Sequence, residues 1–330
     1  MPEQSQRITV CGAGGFIGHH LVKRLKAQGH WVRGVDLKYP EFESSIADEF
    51  ELLDLRERLS CTMAVRSHGV SVDAVYQLAA DMGGMGFIGP AERQIVHNNT
   101  LINVNMVDAA SIARVPRYFF SSSACVYPDM PNDAKEIKED GAYPAMPDNE
   151  YGWEKLYAER VALTYARNSN GLFDIRIGRF QNCYGPLGTW YGGREKAPAA
   201  LCRKVAMAED GGSIDVWGDG SAVRNFIYIE DLLDGIEAIM QAPKEQASGK
   251  PINIGTKQRV TVNALARLVA KVANKRLTLN HISGPVGVQS RKFSNAKLRS
   301  LGWSGKYTLL DGLAPTYQWI MEQVNGGPTE

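Results

Sequence analysis

Arg7-Ile8-Thr9-Val10-Cys11-Gly12-Ala13-Gly14-Gly15-Phe16-Ile17-Gly18 decides the fold. A β-branched run enters a glycine-rich turn, and the pattern after it predicts a helix over 17–28. Gly12, Gly15 and Gly18 form a GxxGxxG spacing, with Gly14 as an additional glycine. Small residues here let a backbone come close to a pyrophosphate, whose charge a helix N-terminus favours. Phe16 and Ile17 open that helix. The next strand pattern, Trp31-Val32-Arg33-Gly34-Val35-Asp36, ends on an acid. A carboxylate there bonds a ribose 2′-hydroxyl and repels a 2′-phosphate, which favours NAD over NADP, while neighbouring Lys38 leaves NADP open.

Working outward, strand patterns recur near 50–53 and at 74–78, 118–122 and 174–179. Helical patterns at about 92–113 and from Tyr151 to about 168 separate the later ones. This alternation predicts an α/β chain built as a Rossmann-type doubly wound parallel sheet. Asp54-Leu55, after the third strand, is placed as an adenine-side contact, with a plain helix cap as the alternative for Asp54. Leu78-Ala79-Ala80 supplies small residues where backbone passes close to a cofactor.

The second half changes character. Residues 182–196 are rich in Gly, Pro and aromatics, which suits a ligand-handling loop. A helix at 197–208, a strand at 213–217, a helix from Asp231 to about 241 and a last sheet strand at 251–255 follow. The remainder reads as two helices and a short strand. The expected division is a cofactor domain over 1–182, to which 226–256 returns, and a smaller mixed α/β lobe from 183–225 and 257–330.

Composition narrows the class of partner. The 330 residues carry a net charge of +1, which gives no reason to expect nucleic acid or a membrane surface. No apolar stretch reaches transmembrane length, and the polar start, Met1-Pro2-Glu3-Gln4-Ser5, lacks a signal-peptide pattern. The five cysteines, Cys11, Cys61, Cys125, Cys183 and Cys202, are scattered without a metal-binding spacing. A cytoplasmic setting and no metal are expected.

Two short stretches carry the chemistry: Ser121-Ser122-Ser123-Ala124-Cys125-Val126-Tyr127-Pro128 and Tyr151-Gly152-Trp153-Glu154-Lys155. A Tyr and a Lys four apart on a helix point the same way. An ammonium beside a phenol favours the phenolate, so Tyr151 is expected to exchange a proton near neutral pH, with Lys155 lowering its pKa. That is acid–base chemistry for oxidising an alcohol. Cys125 is not needed for it and hints at a second reaction, although a thiol there also fits as a small buried hydrophobe.

The cofactor glycines, Leu78-Ala79-Ala80, Ser123, the Tyr151–Lys155 pair and Asn253-Ile254-Gly255 together resemble the extended short-chain dehydrogenase/reductase family, which acts largely on nucleotide-sugars. More specific stretches are Ala80-Asp81-Met82-Gly83-Gly84-Met85-Gly86-Phe87-Ile88, the Cys125 segment, Gly188–Ala200, Trp217-Gly218-Asp219-Gly220 and Gly284–Val288. These resemble the GDP-mannose 3,5-epimerases within that family. The resemblance implies NAD as cofactor, GDP-mannose as substrate, GDP-L-galactose and GDP-L-gulose as products, and a homodimer. It implies that Ser123, Tyr151 and Lys155 serve a transient oxidation at C-4, and that Cys125 and Lys196 invert C-5 and C-3 as base and acid.

Gly83, Gly84, Met85 and Gly86 are expected to bring backbone donors to the sugar, with Glu195 beside Lys196 in the same binding set. Asn182 is expected to reach the sugar or a phosphate. Arg224 stands where the superfamily places a pyrophosphate-binding arginine, and Lys204 and Arg291 are further cation candidates. Trp217 offers a flat face for the base, or is a core aromatic. The nearest rival, a GDP-fucose synthase, uses a histidine in the loop after Asn182; residues 183–196 contain none. A silent nucleotide-sugar-binding protein on the same fold is the other alternative.

Overall fold

The computed structural model describes residues 5–130, 135–284 and 292–326, and of Met85 the backbone alone. Seven strands form one sheet in the order Pro251–Ile254, Asp174–Phe180, Arg117–Ser123, Ala74–Gln77, Arg7–Cys11, Trp31–Asp36, Glu49–Leu52. Every neighbouring pair is parallel. Parallel strands need crossovers, and helices supply them on both faces.

Side chains alternate between those faces. Ile8 and Val10 pack with Leu21 and Leu25 of the first helix, Phe16–Ala27, and with Leu232 and Ile236 of the helix Ile229–Gln241. Cys11, Val75, Tyr118 and Ile175 point the other way, onto Ile102 and Met106 of the helix Glu92–Ile112 and Ala158 and Ala162 of the helix Glu150–Asn168. Each fully buried Ile, Leu or Val contributes about 1.5–3 kcal/mol. The two-sided burial explains why the strands read as nearly unbroken apolar runs. The strand order reverses between Arg7–Cys11 and Ala74–Gln77, and the carboxyl ends of open α/β sheets form their ligand crevice at that point.

A third core lies outside this sheet. Leu201 and Val205 of the helix Ala197–Met207, Leu265 and Val269 of Val262–Val272, and Leu313 and Ile320 of Leu309–Gly326 enclose it. A parallel strand pair, Ser213–Trp217 with Thr278–Ile282, adds Ile214 and Val216. Among the described residues, the segment after 257 contains three helices, with Ala296–Ser300 as the short one, and two strands, Val260–Thr261 and Thr278–Ile282. The expectation of two helices and one strand misses the shortest pieces, whose few residues carry no readable period. The helix Arg58–Ala64 also escapes the sequence reading.

Beneath the crevice lies a buried ion pair. Arg179, at 1% exposure, donates from Nε and Nη2 to the two oxygens of Glu159, at 2.8 and 2.6 Å. Its Nη1 donates to the Tyr127 hydroxyl (2.9 Å) and to the Glu139 carbonyl (2.7 Å). Tyr127 donates onward to Asn253 Oδ1 at 2.6 Å. Removing one member of such a pair strands the other charge. Arg179→Met is expected to destabilise the protein by about 3–5 kcal/mol in urea unfolding, with Arg179→Met/Glu159→Leu losing less than Arg179→Met alone.

Candidate active site

The glycine turn holds three backbones in contact. Gly12 has φ +82°, and a Cβ there would meet Ala79 N at 2.8 Å and Leu78 C at 2.9 Å. A Cβ on Gly18 would lie 2.0 Å from the Gly12 carbonyl oxygen. These two glycines seat the helix against the strand ends. Gly15 differs: only the Gly12 oxygen, at 3.3 Å, lies near its missing Cβ. It caps the helix Phe16–Ala27 without a side chain, and the first turn holds no acid. The first-turn amides therefore keep their capacity for an anion. Asp36 accepts from Gly14 N (2.9 Å) and Leu37 N (2.7 Å), while burial pushes its carboxyl above the usual range. The residues present fit a dinucleotide, with a bare helix end for its diphosphate and a carboxylate at the second strand for its ribose.

Other cofactor-side expectations resolve differently. Leu55 is a core residue, buried beside Cys61 and Val65. The Asp54 carboxylate is gripped by Arg56 through its amide, Nε and Nη2, and the following helix is capped by Glu57 rather than by Asp54. Ala79 N donates to Gln77 Oε1 at 3.2 Å, and Ala80 is half-buried. Ile17 is half-buried against the core, and the Phe16 ring lies against Gly185 and Gly188, so the helix start meets the loop of the second half.

Ser123 ends the strand Arg117–Ser123, and its hydroxyl accepts from Cys125 N (3.1 Å), which folds Ala124–Val126 into a tight turn. Gly152 explains how that turn meets the helix: a Cβ there would lie 2.1 Å from the Cys125 carbonyl oxygen. Asn149 caps this helix by accepting from Gly152 N at 2.9 Å. Tyr151 is buried, in one apolar cluster with Ile88, Ile95 and Cys125. Ser123, Cys125 and Tyr151 thus stand together as the sequence suggests.

The electrostatics correct one expectation. Burial, with the Cys125 and Glu154 charges, pushes the Tyr151 phenol well up, and a hydrogen bond with Ser123 only partly opposes it. Lys155 does not lower it. Its Nζ donates to the Ser121 carbonyl (3.2 Å) and lies 5.8 Å from the Tyr151 ring centroid. Burial in turn pushes the Lys155 ammonium down.

Lys196 reaches the same place from far along the chain. It stands half-buried at the N-terminus of the helix Ala197–Met207. Burial lowers its pKa, and interaction with Cys125 and Cys183 opposes that shift, so two thiols lie within its electrostatic reach. Its Nζ donates to Asn182 Oδ1 at 3.1 Å, which makes Asn182 a lysine-orienting group. All five cysteines are thiols.

Gly83, Gly84 and Gly86 serve packing in this structure. A Cβ on Gly84 would lie 2.3 Å from the Glu195 oxygen, and Gly84 N donates to the Arg194 carbonyl at 2.9 Å. A Cβ on Gly83 would strike the Phe87 side chain, and one on Gly86 would stand 3.3 Å from Gly193 O. Arg194 completes the clasp, bonding Asp81 at 3.1 Å and lying 3.6 Å over Phe87. No sequence signal links Asp81 to Arg194. Glu195 pairs with Arg203 at 3.0 Å, and its Oε2 is buried without a partner among the described residues.

Of the remaining binding candidates, Trp217 is 44% exposed and flanked by Gly86 and Gly284, so it is no core aromatic. Lys204 donates to the Asp215 carbonyl at 2.7 Å. Arg224 is half-buried with Nη1 on the Val223 carbonyl, while Glu230 pairs with Arg24 and Asp231 accepts from Lys306 N and Tyr307 N. Arg291 lies outside the described residues. Among the described residues no acid, Cys and His cluster suits a metal, and no helix is long and apolar enough to cross a membrane. A groove of about 760 Å³ bordered by Ala206, Val272, Pro315 and Met321 touches none of these site residues.

Residues 8–255 match the NAD dependent epimerase/dehydratase family. The chain belongs to that family. NAD is its cofactor, and the cradle at Gly12–Gly18 with Asp36 fits it. Among relatives of this epimerase/dehydratase, GDP-mannose 3,5-epimerase 1 of Oryza sativa subsp. indica is 41% identical, over 100% of this chain and 85% of its own length. GDP-L-fucose synthase of Escherichia coli is 28% identical, over 96% of this chain and 97% of its own. The UDP-glucose 4-epimerase of Thermotoga maritima, solved with UDP-glucose, has the same fold: TM-score 0.85, 22% identity, 96% of this chain and 99% of that one.

Asp36→Asn keeps the shape of the side chain and removes its charge. The NAD-over-NADP preference is expected to fall about tenfold in calorimetric binding of the two cofactors.

Proposed function

We propose that the protein epimerises GDP-mannose at C-5 and C-3, giving GDP-L-galactose and GDP-L-gulose. One observation carries the reading: the Lys196 amine lies within electrostatic reach of the Cys125 thiol, which shares an apolar cluster with Tyr151, itself hydrogen-bonded to Ser123. Two proton-transfer groups beside an alcohol-oxidising tyrosine suit the inversion of carbons flanking a transient ketone. The relative at 41% identity supports the same substrate.

A sugar C–H is too weakly acidic to lose its proton directly. NAD held at Gly12–Gly18 and Asp36 would supply the reversible hydride transfer that makes such protons removable. Tyr151 removes the C-4 hydroxyl proton and gives it back at the end; its raised pKa makes the phenolate a stronger base, which favours the removal. Ser123 hydrogen-bonds the C-4 oxygen. With C-4 as a ketone, the protons on C-3 and C-5 become acidic because the resulting carbanion delocalises as an enolate. Cys125, as thiolate, removes one; Lys196, as ammonium, delivers another to the opposite face. The inverted centre keeps its atom count, and Cys125 and Lys196 re-exchange protons with solvent. Asn182 holds Lys196 for this work, and the depressed lysine pKa brings its release of a proton closer to neutral pH.

In this reading residues 1–182 with 226–256 carry NAD, and 183–225 with 257–330 receive the nucleotide. Trp217 stacks on the base, Arg224 and Lys204 turn to the diphosphate, and Gly83, Met85, Gly86 and Glu195 border the sugar. The protein pairs as a homodimer through the helices Glu92–Ile112 and Glu150–Asn168, on which Leu101, Trp153 and Tyr157 are exposed.

Incubation with GDP-mannose in deuterated water, without NADPH, is expected to place deuterium at C-5 and C-3 by NMR. Cys125→Ala and Lys196→Met should each slow that exchange by about 10²–10⁴-fold. Full exchange in Cys125→Ala, or a requirement for net NADPH consumption, would overturn the assignment.

A further inference from the structure

Glu154 lies between the two residues that carry the oxidation. It follows Tyr151 by three positions on the helix Glu150–Asn168 and directly precedes Lys155. At 4% exposure it is a carboxyl with almost no access to water, a costly placement for an acid that does nothing. Asn103 Nδ2 donates to its Oε1 at 2.7 Å. Asn103 Oδ1 in turn accepts from Gln77 Nε2 at 3.0 Å, and Gln77 also holds Ala79 through its amide and carbonyl. Glu154 Oε2 has no hydrogen-bond partner among the described residues, although the Asn99 amide approaches the carboxyl. Thus one oxygen is tied to a chain that ends beside the cofactor cradle.

We propose that Glu154 is a positioning residue for the Tyr151–Lys155 couple, a buried carboxyl whose charge holds both partners in their protonated forms and so sets the pH range of the C-4 oxidation. This rests on the acid–base reading of Tyr151 and Lys155 given above. Glu154 touches neither substrate nor cofactor in this scheme. It works because little solvent lies between the three groups, so charge is poorly screened.

The surroundings leave this role to Glu154. Glu159, one turn further on, also favours the Lys155 ammonium, but its charge is neutralised by Arg179. Across Tyr151 stands the Cys125 thiol. The helix Glu92–Ile112 presents two neutral amides, Asn99 and Asn103. Asp81, whose backbone Asn99 pins, turns its carboxylate to Arg194, Gln94 and Asn98. The Glu154 carboxylate supports the Lys155 ammonium against burial and raises the Tyr151 phenol. Burial pushes the Glu154 carboxyl upward, and Lys155 and the Asn103 hydrogen bond oppose that shift.

The sign follows. Removing the carboxylate lowers the pKa of both partners: Tyr151 loses its proton at lower pH, and so does Lys155. Both limbs of a bell-shaped profile therefore move down.

The test is the pH dependence of single-turnover NAD reduction by GDP-mannose, read by near-ultraviolet absorbance in the NAD-loaded enzyme. Glu154→Gln keeps an acceptor for Asn103 and is expected to shift both limbs down by about one pH unit. Asn103→Ala removes a bond that favours the ionised carboxylate, so the limbs should move the same way by less. Glu154→Asp, which keeps the charge, should restore the limbs. A uniform loss of rate with unmoved limbs in Glu154→Gln and Asn103→Ala would reduce Glu154 to packing and overturn the inference. Absence of NAD reduction in the parent enzyme would instead strike the proposed function.

Discussion

The Glu159–Arg179 pair is the constraint from which the active-site geometry descends. Two charges buried together are stable only if every lone pair and proton finds a partner. Meeting that demand draws in four other segments: Ser122 from the central strand, Tyr127 after the cysteine turn, the Glu139 carbonyl, and through Tyr127 the end strand at Asn253. Asn253 extends the chain to the Ser294 carbonyl. The helix bearing Tyr151 and Lys155 is thereby locked to the sheet, and the Ser123–Cys125 turn is held between two anchored points. Rigid placement of this kind is what proton transfer over hydrogen-bond distances requires.

Above that foundation, desolvation governs the titratable groups. It moves Tyr151 and Glu154 up and Lys155 and Lys196 down. Each shift favours the neutral form. Such a centre suits a cycle that lends protons and recovers them better than one that must export a proton on every turnover.

Much of the fold was legible because it depends on local pattern. Alternating strand and helix signals gave the parallel sheet, and Gly12, Gly15, Gly18 and Asp36 gave the cofactor end. Ser123, Cys125 and Tyr151 are brought together by one strand, one turn and one helix. What escaped reading depends on distance along the chain. Asp81 meets Arg194 across more than a hundred residues, and Asn182 meets Lys196 only because a loop returns. Gly84 looked like a donor for a ligand, yet its amide is spent on Arg194. Tyr151 shows a related limit: spacing on a helix puts Lys155 nearby but says nothing about how deeply both are buried, and burial pushes the phenol up.

The core outside the sheet is assembled from chain that is not contiguous: Tyr184 to Phe226 supplies one part and Val260 to Ile320 the other. During synthesis the first part leaves the ribosome with its apolar surface exposed, and its cover is not complete until the last helix, Leu309–Gly326, has been made. The parallel sheet, by contrast, can close once Pro251–Ile254 is available. The lobe is therefore completed after the sheet, and for that interval its apolar surface stays partly open.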